Sequence, residues 1–183
     1  MTRPPWFLAR HCVAGNNRDS LEGVVQMEKK TIPMETLVPL LQLQMEQGGQ
    51  ASLTVTGSSM RPMLVSQRDS VVLTPVNGQL HSGDVILYRR TSGQYVLHRI
   101  IKQAEPMICC GDNQWQREEV FASQVIACVS AFCRNGRQYA VEDMAYRLYV
   151  WLMVRLFFLR RPYIVIRRAL GNIRRAMKKT QNK

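Results

Sequence analysis

The segment Asp84-Val85-Ile86-Leu87-Tyr88-Arg89, followed after the turn Ser92-Gly93 by Tyr95-Val96-Leu97-His98, decides the fold of this chain. Two short apolar runs rich in β-branched and aromatic residues, separated by a glycine turn, predict a β-hairpin. The same pattern recurs on both sides. Ala51 to Thr56 alternates with Leu53 and Val55 on one face, Ser70 to Thr74 carries Val71-Val72-Leu73, and Pro106 to Cys110 and Gln124 to Phe132 are further strand-like runs. Val76-Asn77-Gly78-Gln79 and Ser82-Gly83 read as turns, and Arg134-Asn135-Gly136-Arg137 as a hairpin turn into Gln138-Tyr139-Ala140-Val141. Many short strands at close spacing predict a mostly-β domain of coiled sheets. Ahead of them, Leu37, Leu40, Leu41 and Met45 lie at helical spacing and Gly48-Gly49 stops the run, which predicts a short amphipathic helix from Met34 to Gln47.

At 183 residues, 46% of them hydrophobic, the chain can build one real core with appendages. Its formal charge of +12 implies an anionic neighbour, and the excess sits late: no acidic residue follows Asp143. Tyr146 to Leu159 is nearly all apolar but is broken by Arg155 and ended by Arg160-Arg161-Pro162, too short to cross a bilayer. Beyond it Tyr163, Ile166, Leu170, Ile173 and Met177 recur at helical steps beside the pairs Arg160-Arg161, Arg167-Arg168 and Arg174-Arg175, a basic amphipathic helix. The expected organisation is a poorly ordered segment 1–33 with no export signal or anchor, a mostly-β domain 34–141, and a basic helical extension 142–183. Cys12, Cys109, Cys110, Cys128 and Cys133 have neither disulfide-framework nor metal spacing, and His11, His81 and His98 are scattered. The expectation is free thiols and no metal.

Chemistry concentrates in Gly57-Ser58-Ser59-Met60-Arg61-Pro62 and in His98. A serine hydroxyl needs a base within hydrogen-bond reach to become a nucleophile, and an imidazole titrates near working pH. Gly57 permits a tight turn and Pro62 restrains the residue before it, so Ser59 is expected exposed at a strand end. Met60 either lines an adjacent substrate pocket or fills core space. Lys102, four residues past His98, is the poorer base because a lysine must be desolvated to act.

The ordered run Gly-x-Ser-Met-x-Pro, then Gly83-Asp84-Val85-Ile86, then His98-Arg99, then Gly111-Asp112-Asn113 resembles the type I signal peptidases, specifically their Ser/His branch typified by the endoplasmic-reticulum enzyme. The resemblance spans about Val55 to Val129. It implies a signal-peptidase-like coiled β-sheet domain in which Ser59 is the nucleophile and His98 the general base, with Gly83-Asp84 as a structural turn. Asp112 is the first choice to orient the imidazole, and Glu118 is the alternative acidic partner. Gly57 stands where such enzymes often carry a hydroxyl, so the oxyanion hole would rest on the Ser59 N–H and the Ser58 hydroxyl. The implied activity is cleavage of a signal or leader peptide without a cofactor.

Two other readings fit parts of the chain. One is a self-cleaving repressor-type regulator, with Ala14-Gly15 as the scissile bond, although no helix-turn-helix pattern precedes the strands and such proteins use a lysine base. The other is a non-catalytic basic adaptor for a membrane or nucleic acid. For residues 146–183 an anionic membrane surface or a partner protein is favoured over nucleic acid, because Tyr149, Trp151, Leu152, Phe157 and Phe158 supply apolar depth. Peripheral association on the cytoplasmic side is expected.

Overall fold

The computed structural model describes residues 32–159, 162 and 164–166. The proposed scissile bond Ala14-Gly15, Cys12, His11 and nearly all of the arginine-paired C-terminal repeat lie outside these residues.

Strand-forming runs become strands where expected: β1 (Ala51–Thr54), β2 (Ser70–Thr74), β3 (Val85–Arg89), β4 (Tyr95–Lys102), β5 (Met107–Cys110), β7 (Val125–Arg134) and β8 (Arg137–Ala140). One short strand, β6 (Glu118–Val120), has no counterpart in the sequence reading. All pair antiparallel in one sheet of order β1-β2-β7-β3-β4-β5-β6, so the chain is mostly β. The β3–β4 hairpin pairs Ile86 with His98 and Leu87 with Leu97. In the β7–β8 hairpin Asn135 and Gly136 both take positive φ, 49° and 75°, the conformation that an Asn-Gly turn adopts most readily.

Strand β7 organises the sheet. Cys128 pairs with Thr74 of β2 and Ile86 of β3, whereas Ala131 pairs with Val72 of β2 and Ala140 of β8. Strands β3 and β8 therefore share one side of β7 at different heights and leave a gap. Helix α2 (Met144–Arg155) follows β8 directly and meets the sheet there: Tyr146 and Val150 line a cleft of about 340 Å³ with Gly83, Val85 and Val129. Helix α2 is thus packed against the sheet.

The larger core cluster unites Val71, Leu73, Val85, Leu87, Val129 and Phe132 with Met60, Met63 and Leu64, and is covered by Val38, Leu41 and Met45 of helix α1 (Met34–Glu46). Those three residues turn inward, while Leu40, expected on the buried face, is exposed. The helix ends in paired bonds from Gly49 N–H to Gln44 C=O and from Gly48 N–H to Met45 C=O, with Gly48 at φ 79°. A side chain on Gly48 would be strained there, which is why the glycine pair stops the helix. A smaller cluster on the other face holds Ile86, Tyr88, Ile100, Met107, Cys109 and Val120. Cys109, Cys110 and Cys128 are free thiols as expected. Cys133 departs from that expectation, being disulfide-bonded.

Candidate active site

Strand pleating sends neighbouring residues to opposite faces, so His98 and Arg99 of β4 serve different neighbourhoods. Arg99 points to the larger core and is fully buried. Its Nε and Nη2 donate to the two Asp112 carboxylate oxygens at 2.9 and 2.8 Å, and its Nη1 donates to the Gly83 carbonyl at 2.7 Å and the Tyr146 hydroxyl at 3.0 Å. Tyr149 of α2 donates a further bond to Asp112 at 2.9 Å. Burial opposes the guanidinium charge, yet the Asp112 carboxylate more than compensates and raises the Arg99 pKa. Asp112 is thereby bound into a buried ion pair that ties the turn at Gly83, the end of β5 and α2 together.

His98 lies on the opposite face in a row that crosses four strands. Tyr88 is two residues from Ile86, which pairs with His98; Ile100 pairs with Cys109, and Cys109 pairs with Glu118. Parity places Tyr88, His98, Cys109 and Glu118 on one face. The Tyr88 hydroxyl lies 3.2 Å from His98 Nδ1 and donates to Glu118 Oε2 at 2.8 Å, while Glu118 Oε1 stands 3.6 Å from Nδ1. Arg90 donates to Glu118 through Nε at 2.7 Å and also through Nη2. The imidazole therefore stands nearest Glu118, the alternative acidic partner, whereas Asp112 is bonded to Arg99 and acts on the ring only as a further charge. The physical reason is the pleat: Asp112 sits with Arg99 on the far side of the strand.

Burial pushes the His98 pKa down to about 4, against the raising effect of Glu118. The ring is neutral at physiological pH and its basic lone pair needs no prior deprotonation. For Glu118, burial acts to raise the pKa, but the hydrogen bonds from Arg90 and Tyr88 prevail and hold it below the ordinary carboxylate range. An ionised carboxylate thus faces a neutral imidazole, an arrangement that stabilises a proton arriving on the ring.

Ser59 is half-buried in the turn after β1, not exposed at a strand end. Gly57 enters that turn at φ 91° and its N–H donates to Ser66 Oγ at 3.1 Å. The Gly111-Asp112-Asn113 segment fixes the serine. Asn113 N–H donates to the Ser59 carbonyl at 2.7 Å, and Asn113 Nδ2 donates to the Ser58 carbonyl at 3.1 Å. Gly111 supplies space, because a Cβ there would lie 2.8 Å from Ser59 O and 3.0 Å from Ser59 Cβ.

That contact sets Ser59 at the end of β5, beside β4. Arg99 pairs with Cys110, and carrying the antiparallel register one residue further sets Gly111 opposite His98. The vacant side-chain position of Gly111 falls on the same face as Cys109, the face from which the imidazole projects. Ser59 Cβ occupies the space beside it. No hydrogen bond joins Ser59 Oγ to His98 among the described residues, a separation common before substrate binds. The Ser59 N–H makes no hydrogen bond within the described residues, and Ser58 is exposed, so both expected oxyanion donors are free to turn to a ligand.

Met60 is 2% exposed within the larger core. It fills core space and anchors the serine turn rather than lining a substrate pocket. Lys102 is exposed at the far end of β4, beyond an irregularity in the β4–β5 pairing. Gly83, at φ 107°, and Asp84 form the turn expected of them, with Gly83 N–H donating to Ile100 C=O at 2.8 Å. Tyr88 and Arg90 were not singled out from the sequence, although the register of the predicted hairpin would have set Tyr88 on the histidine face. Glu118 was named as the alternative partner, but its three-residue strand has no apolar pattern that would reveal its place in the sheet.

Family models, curated proteins and solved structures give no match to this chain. The described residues hold no group of three or more side chains suited to a metal ion, and no helix among them is long and apolar enough to cross a membrane.

Proposed function

We propose that this protein is a serine endopeptidase of the type I signal peptidase kind that cleaves a signal or leader peptide. The observation that supports the reading is the seating of Ser59 against Gly111, whose register position lies opposite His98, with the Tyr88 hydroxyl 3.2 Å from His98 Nδ1. In the reaction, Ser59 Oγ bonds to the scissile carbonyl carbon as its proton passes to His98 Nε2. The C–N bond then breaks and the leaving amine takes that proton. Water repeats the sequence on the resulting ester, returning Ser59 as hydroxyl. The Ser59 N–H and Ser58 hydroxyl would receive the oxyanion, each such donor being worth about 10²–10³ in rate.

The test is labelling of the full chain with a serine-directed fluorophosphonate, together with processing of co-expressed leader substrates. Labelling should map to Ser59 and vanish in Ser59→Ala, as should processing. Absence of an adduct on the wild-type protein, with equal processing by Ser59→Ala, refutes the reading.

A second reading concerns where the enzyme works. Met144, Leu148, Trp151, Leu152, Leu156 and Phe158 expose apolar side chains beside Arg147 and Arg155. Apolar residues flanked by arginines suit peripheral binding to an anionic membrane surface, on the cytoplasmic side in our reading. Sedimentation with anionic vesicles should be strong at low salt and lost in a Leu148→Glu/Trp151→Glu variant. Binding to nucleic acid that survives this substitution would refute it.

A further inference from the structure

The Tyr88 hydroxyl has one proton and two neighbours, Glu118 Oε2 at 2.8 Å and His98 Nδ1 at 3.2 Å. An ionised carboxylate is the stronger acceptor and is also the nearer, so the proton belongs to the bond toward Glu118. The phenol oxygen then offers only lone pairs to the imidazole, and the contact is a hydrogen bond only if Nδ1 carries hydrogen. Glu118 itself stands 3.6 Å from Nδ1, too far to accept that hydrogen directly. Arg90, gripping Glu118 through two nitrogens, keeps the carboxylate charged and fixed. The ring is 1% exposed, so solvent does not compete for Nδ1.

Resting on the Ser59–His98 chemistry proposed above, we infer that Tyr88 is a positioning residue: it bridges Glu118 to His98, accepting from Nδ1–H and donating to the carboxylate, and so directs the Nε2 lone pair at Ser59. The bridge moves no proton. It fixes one tautomer of the neutral ring and, once Nε2 takes the serine proton, links the imidazolium to the Glu118 charge through the aligned phenol dipole. The third member of the site is then a tyrosine–glutamate pair clamped by Arg90, in place of a carboxylate bonded directly to histidine.

The experiment is nitrogen NMR of the His98 ring in the full chain at pH 7, with fluorophosphonate labelling rates measured in parallel. Wild type should show the Nδ1–H tautomer. Tyr88→Phe, which keeps the ring and removes only the hydroxyl, should lose that preference and label Ser59 about 10–100-fold more slowly, the size of effect that losing the outer partner has on a metal-bound imidazole. Arg90→Gln leaves Tyr88 in place and should shift both readouts the same way but less, and it decides the matter if Tyr88→Phe fails to fold. An Nε2–H tautomer in wild type overturns the inference, as does a folded Tyr88→Phe with unchanged tautomer and rate. Because the tautomer is read without substrate, the two proposals fail separately. The expected tautomers with no labelling of wild-type Ser59 would uphold the bridge and refute the peptidase.

Discussion

Replacing Asp112 by Asn separates a structural from a catalytic role for that carboxylate. Both side chains of the Arg99–Asp112 pair are fully buried, with Nη2 2.8 Å from Oδ2. At an effective dielectric of about 20, opposite charges at that distance attract by about 6 kcal/mol. Asparagine keeps the shape and one acceptor but leaves the guanidinium buried without a counter-charge. Breaking such a pair from one side costs about 3–5 kcal/mol, or on the order of 10 °C in Tm for a chain of this size. Urea and thermal unfolding followed by circular dichroism at pH 7 measure it. Removing both charges together, as in Arg99→Met/Asp112→Leu, should cost less than Asp112→Asn alone, since no lone charge then stays buried. The His98 tautomer should be unchanged in Asp112→Asn, because Tyr88 and Glu118 lie on the other face. A stability loss below about 1 kcal/mol, with Ser59 labelling abolished, would refute this reasoning and return Asp112 to the imidazole.

Two further outcomes follow from the same geometry. The His98 pKa falls from 6.5 to about 4 on folding, so between those values the unfolded chain binds more protons. Stability should be fully present above about pH 6.5 and decline by up to about 3 kcal/mol as pH drops toward 4; His98→Gln should lack this slope, and a wild-type protein flat over that window would contradict it. Gly111→Ala would put a methyl carbon 2.8 Å from the Ser59 backbone oxygen and 3.0 Å from its Cβ. The serine turn must move, so labelling of Ser59 should fall at least tenfold, on the order of 1.4 kcal/mol in the barrier; labelling at the wild-type rate would show that Ser59 is not seated against Gly111.

The strands and turns were legible in the sequence because their causes are local. The period of two sends Val71, Leu73, Val85 and Leu87 to one core and Ile86 and Tyr88 to the other, and Asn135-Gly136 accepts the positive φ that its hairpin requires. Ser59 and His98 could likewise be named from residue type and order. The acidic partner could be narrowed only to two, Asp112 first and Glu118 second. Asp112 was the nearer choice by motif, but the pleat assigns it to Arg99, while Glu118 reaches the imidazole only because β5 pairs with β6 in one register. That register belongs to the assembled sheet, and the two glutamates of β6 leave no hydrophobic trace of it. The same holds for α2: its aromatic run was plain in the sequence, yet only packing shows Tyr146 and Tyr149 bonded to the Arg99–Asp112 pair. Local chemistry thus determined which groups could react, and cross-strand geometry decided which of them face one another.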